Sequence, residues 1–237
     1  MTSHTYLFPP TLKGILRKRY KRFLADIELE SGDIVTAHCP NTGPMTGVCD
    51  IGAPVLLSQS DNPKRKLKYT WEAIAIGNTW VGVNTAAPNR IVQQGLEESW
   101  FSQLNGFAKL RREAPYGSQK SKIDFLLTYP DDSLAYVEVK NTTWCRGKRA
   151  LFPDTVTTRG QKHLQELMEM VERGHRAAML YFIHRGDCDE FAPGDDKDPE
   201  YGQLLRQAVK AGVEILPYRF AVSPEGVQCV GQAQWIL

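Results

Sequence analysis

The sequence predicts a mixed α/β protein in two domains, a small β-barrel followed by an α/β layer. Three observations carry that expectation. Up to about residue 85, short alternating runs of apolar and polar residues are broken by Gly-containing turns, the pattern of short strands in a small barrel. From Ser121 to Lys140, two apolar runs flank Tyr129-Pro-Asp-Asp-Ser133, a cluster of turn formers, and read as a β-hairpin. Beyond it, stripes of helical period alternate with apolar runs, which makes strand and helix succeed one another in a mixed layer. The expected domains are residues 1–86 and 87–237.

In the first domain, Phe23, Ala25, Ile27 and Leu29 alternate with Leu24, Asp26, Glu28 and Glu30, a half-buried strand. Ser31-Gly32-Asp33 turns the chain into Ile34-Val35-Thr36-Ala37, and Val55-Leu56-Leu57 is a further strand. Gly77-Asn78 separates 73–76 from 79–83, a hairpin signal. Tyr20, Tyr69, Trp71 and Trp80 are candidate stackers for bases, although a lone aromatic serves a core equally well. Pro40-Asn-Thr-Gly-Pro-Met45 is a loop dense in turn residues.

Ala87-Pro88-Asn89 marks the junction. Val92, Leu96, Trp100 and Leu104 then recur at helical spacing and predict a helix entering the second domain. Glu113 reads as solvated surface, with a further site carboxylate as the alternative. After the hairpin, Thr158 with Gln161 three residues on has the capping-box pattern. Leu164, Leu167, Met168 and Val171 form that helix's apolar stripe, and Gly174 ends it. Residues 177–183 read as a buried strand and 187–200 as an acidic loop. Pro199 opens a helix carrying Leu204, Leu205, Ala208 and Val209, with Gly212 behind it and a strand over 213–216. His184 and the acidic loop are too irregularly spaced for a metal site and read as solvated.

Composition excludes several classes. No run approaches the roughly 18–20 apolar residues of a membrane helix, and the start lacks an apolar signal core. The five cysteines form no Cys-x-x-Cys pair, which argues against a disulfide framework or structural zinc and for a cytoplasmic setting. Net charge is only +2, but residues 1–85 hold ten Lys and Arg against seven Asp and Glu. The surplus is clustered, in Arg17, Lys18, Arg19, Lys21 and Arg22 and again in Lys64, Arg65, Lys66 and Lys68. Such runs attract a phosphate backbone; a soluble basic face is the plainer alternative. Arg17, Arg19, Lys21, Arg22, Arg65 and Lys66 are the candidate nucleic-acid contacts. Arg159, in the first turn of a helix whose free N–H groups favour anions, is a seventh.

The hairpin carries the chemistry. Tyr136, Glu138 and Lys140 share one face of its second strand, with Val137 and Val139 on the other. Asp124 lies on the neighbouring strand among Ile123, Phe125 and Leu126, where a carboxylate is costly without a metal, a cation or hydrogen bonds. Asp124 and Glu138 are candidate ligands for Mg²⁺, which takes oxygen donors and keeps several waters. Lys140 would steady a nucleophilic water or developing charge. The plainer alternative is a solvated Glu138–Lys140 ladder.

The chain resembles the sugar fermentation stimulation protein A (SfsA) family over nearly its whole length. The residues that carry the resemblance include Arg19-Tyr-Lys-Arg-Phe-Leu-Ala-Asp26, His38-Cys-Pro-Asn-Thr-Gly-Pro-Met45, Asp61-Asn-Pro-Lys-Arg-Lys66 and Trp71-Glu72. They continue in Ser121-Lys-Ile-Asp124-Phe, Glu138-Val-Lys140, Phe152-Pro-Asp154, Thr158-Arg-Gly-Gln-Lys-His-Leu164 and Gly212-Val-Glu-Ile215. The resemblance implies an OB-fold-like N-terminal domain, a C-terminal domain like the PD-(D/E)xK nucleases, DNA binding, and a regulatory role in sugar (maltose) metabolism. Two functions follow. In one, the protein binds DNA with little sequence preference and the nuclease-like domain is a platform. In the other, Asp124, Glu138 and Lys140 form a Mg²⁺-dependent phosphodiesterase. DNA or RNA, single or double strand, and monomer or homodimer stay open.

Overall fold

The computed structural model describes residues 4–119 and 121–236. After β1 (Thr5–Leu7), the chain enters β2 (Thr11–Tyr20), a ten-residue strand that carries the first basic run. No apolar alternation marks it in the sequence, because most of its side chains are basic or polar. β3 (Leu24–Leu29), β4 (Ile34–His38), β5 (Pro54–Gln59) and β6 (Tyr69–Ile76) follow. β2 pairs antiparallel with β3 and β5, β3 with β4, and β5 with β6. β4 then runs parallel to β6 at Ala37↔Tyr69 and His38↔Thr70. That pairing closes a ring in the order β2-β3-β4-β6-β5, the five-stranded OB barrel. Leu16, Ala25, Ile27, Val55, Leu57 and Trp71 fill its interior. Trp71 is fully buried and donates its indole N–H to the Ala73 carbonyl, so it serves the core and not base stacking. Gly14 lets β2 lie close on β3, since a Cβ there would stand 2.7 Å from the Glu28 carbonyl oxygen.

β7 (Thr79–Gly82) returns from β6 through the expected Gly77-Asn78 turn and leads the sheet into the second domain. The Gly82 N–H donates to the His184 carbonyl at 2.9 Å, and a Cβ on Gly82 would fall 2.0 Å from His184 Nε2. His184 is therefore buried in the seam between the domains and not solvated, which corrects the loop reading. Without a charged partner, burial drives its pKa down to about 3.

α1 (Ala87–Glu97) begins at the junction itself, with Pro88 in its first turn. It ends before Trp100 and Leu104, whose spacing had suggested a longer helix; Ser99, at φ 61°, breaks it. β8 (Lys109–Tyr116), β9 (Ser121–Thr128) and β10 (Leu134–Thr142) form the meander that contains the hairpin. β8 has no clear alternation and was not anticipated. β11 (Cys145–Arg146) and β12 (Arg149–Phe152) start a small second sheet. Then come α2 (Thr158–Glu172), β13 (Arg176–Ile183), β14 (Glu190–Pro193), α3 (Pro199–Ala211), β15 (Glu214–Val222), β16 (Gly226–Gln232) and β17 (Gln234–Trp235).

β13 runs parallel to both β10 and β15, and its near-continuous apolar sequence suits a strand covered on both faces. α1 covers one face through Ile91, Val92 and Leu96. α2 and α3 cover the other through Leu164, Leu167, Tyr201 and Leu205. Two readings of this region change. The cap of α2 is Thr157, whose hydroxyl accepts from the Gly160 N–H, and not Thr158. Gln161 donates instead to Asp198, the buried N-cap of α3. The 187–200 stretch accordingly holds a strand and a buried acid, because β14 pairs with β12 and β17. No helix among the described residues is long and apolar enough to cross a membrane.

Candidate functional site

The hairpin turns where Tyr129 and Ser133 were expected to turn it, with the Tyr129 N–H donating to the Ser133 carbonyl. Its ladder runs from Leu134↔Thr128 to Val137↔Phe125 and stops. One step further, Asp124 takes over the accepting role with its side chain: Oδ2 receives the Val139 N–H at 2.8 Å. Its Oδ1 receives the Asn89 amide of α1 at 2.7 Å. Across from Asp124, Glu113 drops out of the β8–β9 pairing and sits at φ 50°, a strained conformation beside the site. Glu113 is itself exposed.

Glu138 and Lys140 do share a face, and that face is covered by α2, not open to water. Glu138 is only 3% exposed. Its Oε1 receives the Lys140 ammonium at 2.7 Å and touches His163 Nδ1. The solvated ladder is thereby excluded. Arg159 Nε donates to His163 Nε2 at 3.3 Å. His163 Nδ1 also lies 3.0 Å from the Lys140 ammonium, so Glu138, Lys140 and His163 form one buried polar cluster. His163 and Glu166, one turn apart, are buried on α2. They take the inner face where the sequence had placed Met168 and Val171, which are half-buried.

Burial pushes the Glu138 carboxyl up, but the Lys140 charge and the His163 hydrogen bond outweigh it and hold the group ionised. Asp124 goes the other way. Burial first and the Glu138 charge second push it up to about 6, against the donors Val139 and Asn89 and the charge of Lys140. Tyr116, its hydroxyl buried without a partner among the described residues, is kept protonated by burial and by the nearby Glu138, Glu166 and Asp124. Glu138 Oε2 and both Glu166 oxygens are likewise buried and unpartnered among the described residues.

These orphaned oxygens bear on the expected metal. Glu138 Oε2 is a free, hard donor beside a carboxylate that it repels, which is the environment a divalent cation relieves. Among the described residues, no three His, Cys, Asp or Glu side chains converge as a ready cage. An ion held by Asp124 and Glu138 would be completed by water and phosphate, as Mg²⁺ habitually is. The residues fit Mg²⁺ on those terms.

The basic residues separate into two groups. Arg19 is committed to structure: its Nη2 donates to the carbonyls of Arg22, Asn41 and Gly43, which ties the Pro40–Met45 loop to the β2–β3 turn. Arg17 is paired with Glu28 at 2.6 Å on the surface. Lys21, Arg22 and Lys66 are exposed and have no side-chain partner among the described residues, and Arg65 uses one N–H on Thr70. Lys21 and Arg22 sit in the β2–β3 turn, Arg65 and Lys66 in the β5–β6 loop. Arg159 is exposed at the start of α2. The sequence assigned no site role to His163, Asn89, Tyr116 or Glu166. His163 was signalled only by its one-turn spacing from Arg159.

Fold and site together define a class: an OB domain joined to a mixed α/β domain that buries an Asp, a Glu and a Lys beside its central sheet. The family model described as the SfsA N-terminal OB domain matches residues 18–83, and that described as the sugar fermentation stimulation protein RE domain matches residues 86–226. The chain belongs to the sugar fermentation stimulation protein family. A sugar fermentation stimulation protein homolog from Picosynechococcus is 63% identical over 235 residues, covering 97% of this chain and 93% of the relative. One from Rippkaea orientalis is 60% identical over 240 residues, covering 100% and 99%. The solved structure of Pyrococcus furiosus SfsA in complex with Ca²⁺ superposes with a TM-score of 0.90 at 22% identity, covering 100% of both chains.

Proposed function

We propose that this protein binds DNA through its phosphate backbone with little sequence preference, using the barrel's loops. One observation carries the reading. The exposed cations Lys21 and Arg22 lie in the turn between the first and second barrel strands, and Arg65 and Lys66 in the loop between the fourth and fifth. Those are the loops with which OB barrels hold oligonucleotides. Arg159 adds a cation at the start of α2. A regulatory role in sugar (maltose) metabolism belongs to the proposal through the family alone. Fluorescence anisotropy against unrelated DNA duplexes and single strands tests it. Affinity should fall steeply with salt, and Lys21→Glu, Arg22→Glu and Lys66→Glu together should weaken all sequences alike. The log–log salt slope should shrink by about 2–3, at roughly 0.7–0.9 per phosphate contact. A flat salt response, or one strongly preferred sequence, would overturn the reading.

A second reading, a Mg²⁺-dependent phosphodiesterase, is favoured by the Glu138 Oε2 that is unpartnered among the described residues and by an Asp124 carboxyl raised by burial and by the Glu138 charge. The Pyrococcus furiosus relative was solved in complex with Ca²⁺, which supports a divalent ion for this reading. Bound by Asp124 and Glu138, Mg²⁺ would supply polarisation of a phosphodiester and an acidified water. Lys140 lies where it can steady negative charge developing next to Glu138, and His163 keeps Glu138 oriented. Millimolar Mg²⁺ should raise the thermal midpoint of the wild type by mass action and leave Asp124→Asn unmoved. Lys140→Ala should keep that metal response and lose cleavage of every nucleic-acid form. Equal metal response in wild type and Asp124→Asn would sink it.

A further inference from the structure

A second polar cleft lies where β1, the barrel and α1 meet, apart from the carboxylates. It encloses about 370 Å³, at the small end of ligand pockets and much larger than a phosphate ion. Its rim carries Arg65 and Arg90, with His38 between the barrel strands and the helix. Neither His38 nor Arg90 has a side-chain partner among the described residues. One wall is aromatic: Phe8, half-buried, meets Tyr6 edge to face at 6.4 Å. The floor is a buried carboxylate, Glu72, 7% exposed. Ser58 Oγ donates to its Oε1 at 2.6 Å, and the Asn84 amide to its Oε2 at 2.7 Å.

We infer that this cleft binds a nucleotide through a phosphomonoester held between Arg65 and Arg90, with its base along Phe8 and its N–H edge toward Glu72. The charges dictate that orientation. A phosphate is repelled from the Glu72 floor and attracted to the rim, where two guanidiniums offer forked donors. An aromatic wall takes a base in stacking contact. The floor presents acceptors, so bases with adjacent N–H groups, guanine above all, satisfy it best, and thymine with its single N–H does so less well. A hexose phosphate fits poorly. It has no flat face to lie on Phe8, and each hydroxyl brings an oxygen lone pair, which the Glu72 carboxylate repels, along with its proton. The placement also matters: Arg90 faces the cleft, and the preceding residue of α1, Asn89, holds Asp124. A nucleotide seated here lies one helix residue from the carboxylate site. The inference extends the DNA-binding reading, and the shared chemistry is a nucleoside monophosphate, free or at the end of a strand.

Isothermal titration with dGMP, dTMP, deoxyguanosine, glucose 6-phosphate and inorganic phosphate tests it. The expected order puts dGMP ahead of dTMP, and both well ahead of the nucleoside and of phosphate. Arg90→Ala and Arg65→Ala, both on exposed side chains, should each weaken dGMP about ten- to a hundredfold, the size of a charge-assisted hydrogen bond. Phe8→Ala should weaken both nucleotides and leave phosphate unchanged. Asp124→Asn should leave dGMP binding intact, so loss of the carboxylate site and loss of this one are separable. Competition by an oligonucleotide with a 5′-phosphate, but not by its 5′-hydroxyl form, would make the strand end the occupant; competition by neither would make it the free nucleotide. Glucose 6-phosphate binding as tightly as dGMP, no saturable nucleotide binding, or arginine variants that bind dGMP normally would each overturn the proposal.

Discussion

Asp124 and Glu138 show how neighbouring carboxylates come to differ. Glu138 has an ammonium and an imidazole nitrogen on one oxygen, and stays charged despite near-complete burial. Asp124 has two neutral donors and a negative neighbour, and its pKa rises from 3.8 to about 6. The sign of the consequence follows. Between those values the folded state binds the proton and the unfolded state releases it, so stability of the metal-free protein falls as pH rises from about 4 to about 6. Above that window the slope vanishes. Asp124→Asn should flatten the curve and raise stability at pH 7 by up to about 3 kcal/mol, at 1.36 kcal/mol for each pKa step. Urea midpoints from pH 4 to 8 measure it; parallel curves for wild type and variant would assign Asp124 a solvated environment.

At the scale of elements, α2 does two jobs from its two flanks. Its inner face brings His163 onto Glu138 across 25 residues of sequence. Its exposed first turn presents Arg159, whose guanidinium spends one N–H on His163 and keeps the others for solvent or phosphate. Structural and binding roles predict different outcomes for Arg159→Ala. Loss of a 3.3 Å hydrogen bond from an exposed side chain should change stability by no more than about 0.5 kcal/mol. Loss of a phosphate contact should weaken DNA binding across all sequences and reduce the salt slope by about 1. A large drop in thermal midpoint with unchanged DNA affinity would make Arg159 a strut for His163 alone.

Across the whole molecule, the basic surplus of the first 85 residues divides between holding the barrel together and facing solvent. Arg19 satisfies three carbonyls, two of them in the loop that lies beside the nucleotide cleft. Arg19→Ala should therefore lower stability by about 1–3 kcal/mol, the cost of leaving such acceptors unpaired. The triple reversal at Lys21, Arg22 and Lys66 should leave stability within about 0.5 kcal/mol, as surface changes do. Chemical denaturation of both variants beside their DNA affinities separates the roles; equal stability would return Arg19 to the surface group.

How much of this was legible follows from range. Alternation over two residues is a property of a single strand, so β3, β4, β6, β7 and the β9–β10 hairpin could be read from the chain, as could the shared face of Glu138 and Lys140. β2 and β8 could not, because their side chains face solvent or basic neighbours and leave no apolar period. The barrel's closure rests on β4 meeting β6 in parallel, a pairing between segments some thirty residues apart that no local pattern records. Whether Glu138 stands in water or under a helix was likewise undecided until α2 packed over it. By itself, the sequence determined the strands with an apolar period or an apolar run, the class of fold and the residues with chemical capacity. The tertiary structure alone decided which charges are buried and what they face, since a buried charge is tolerated only where packing delivers partners from distant segments: His163 from α2 and Asn89 from α1.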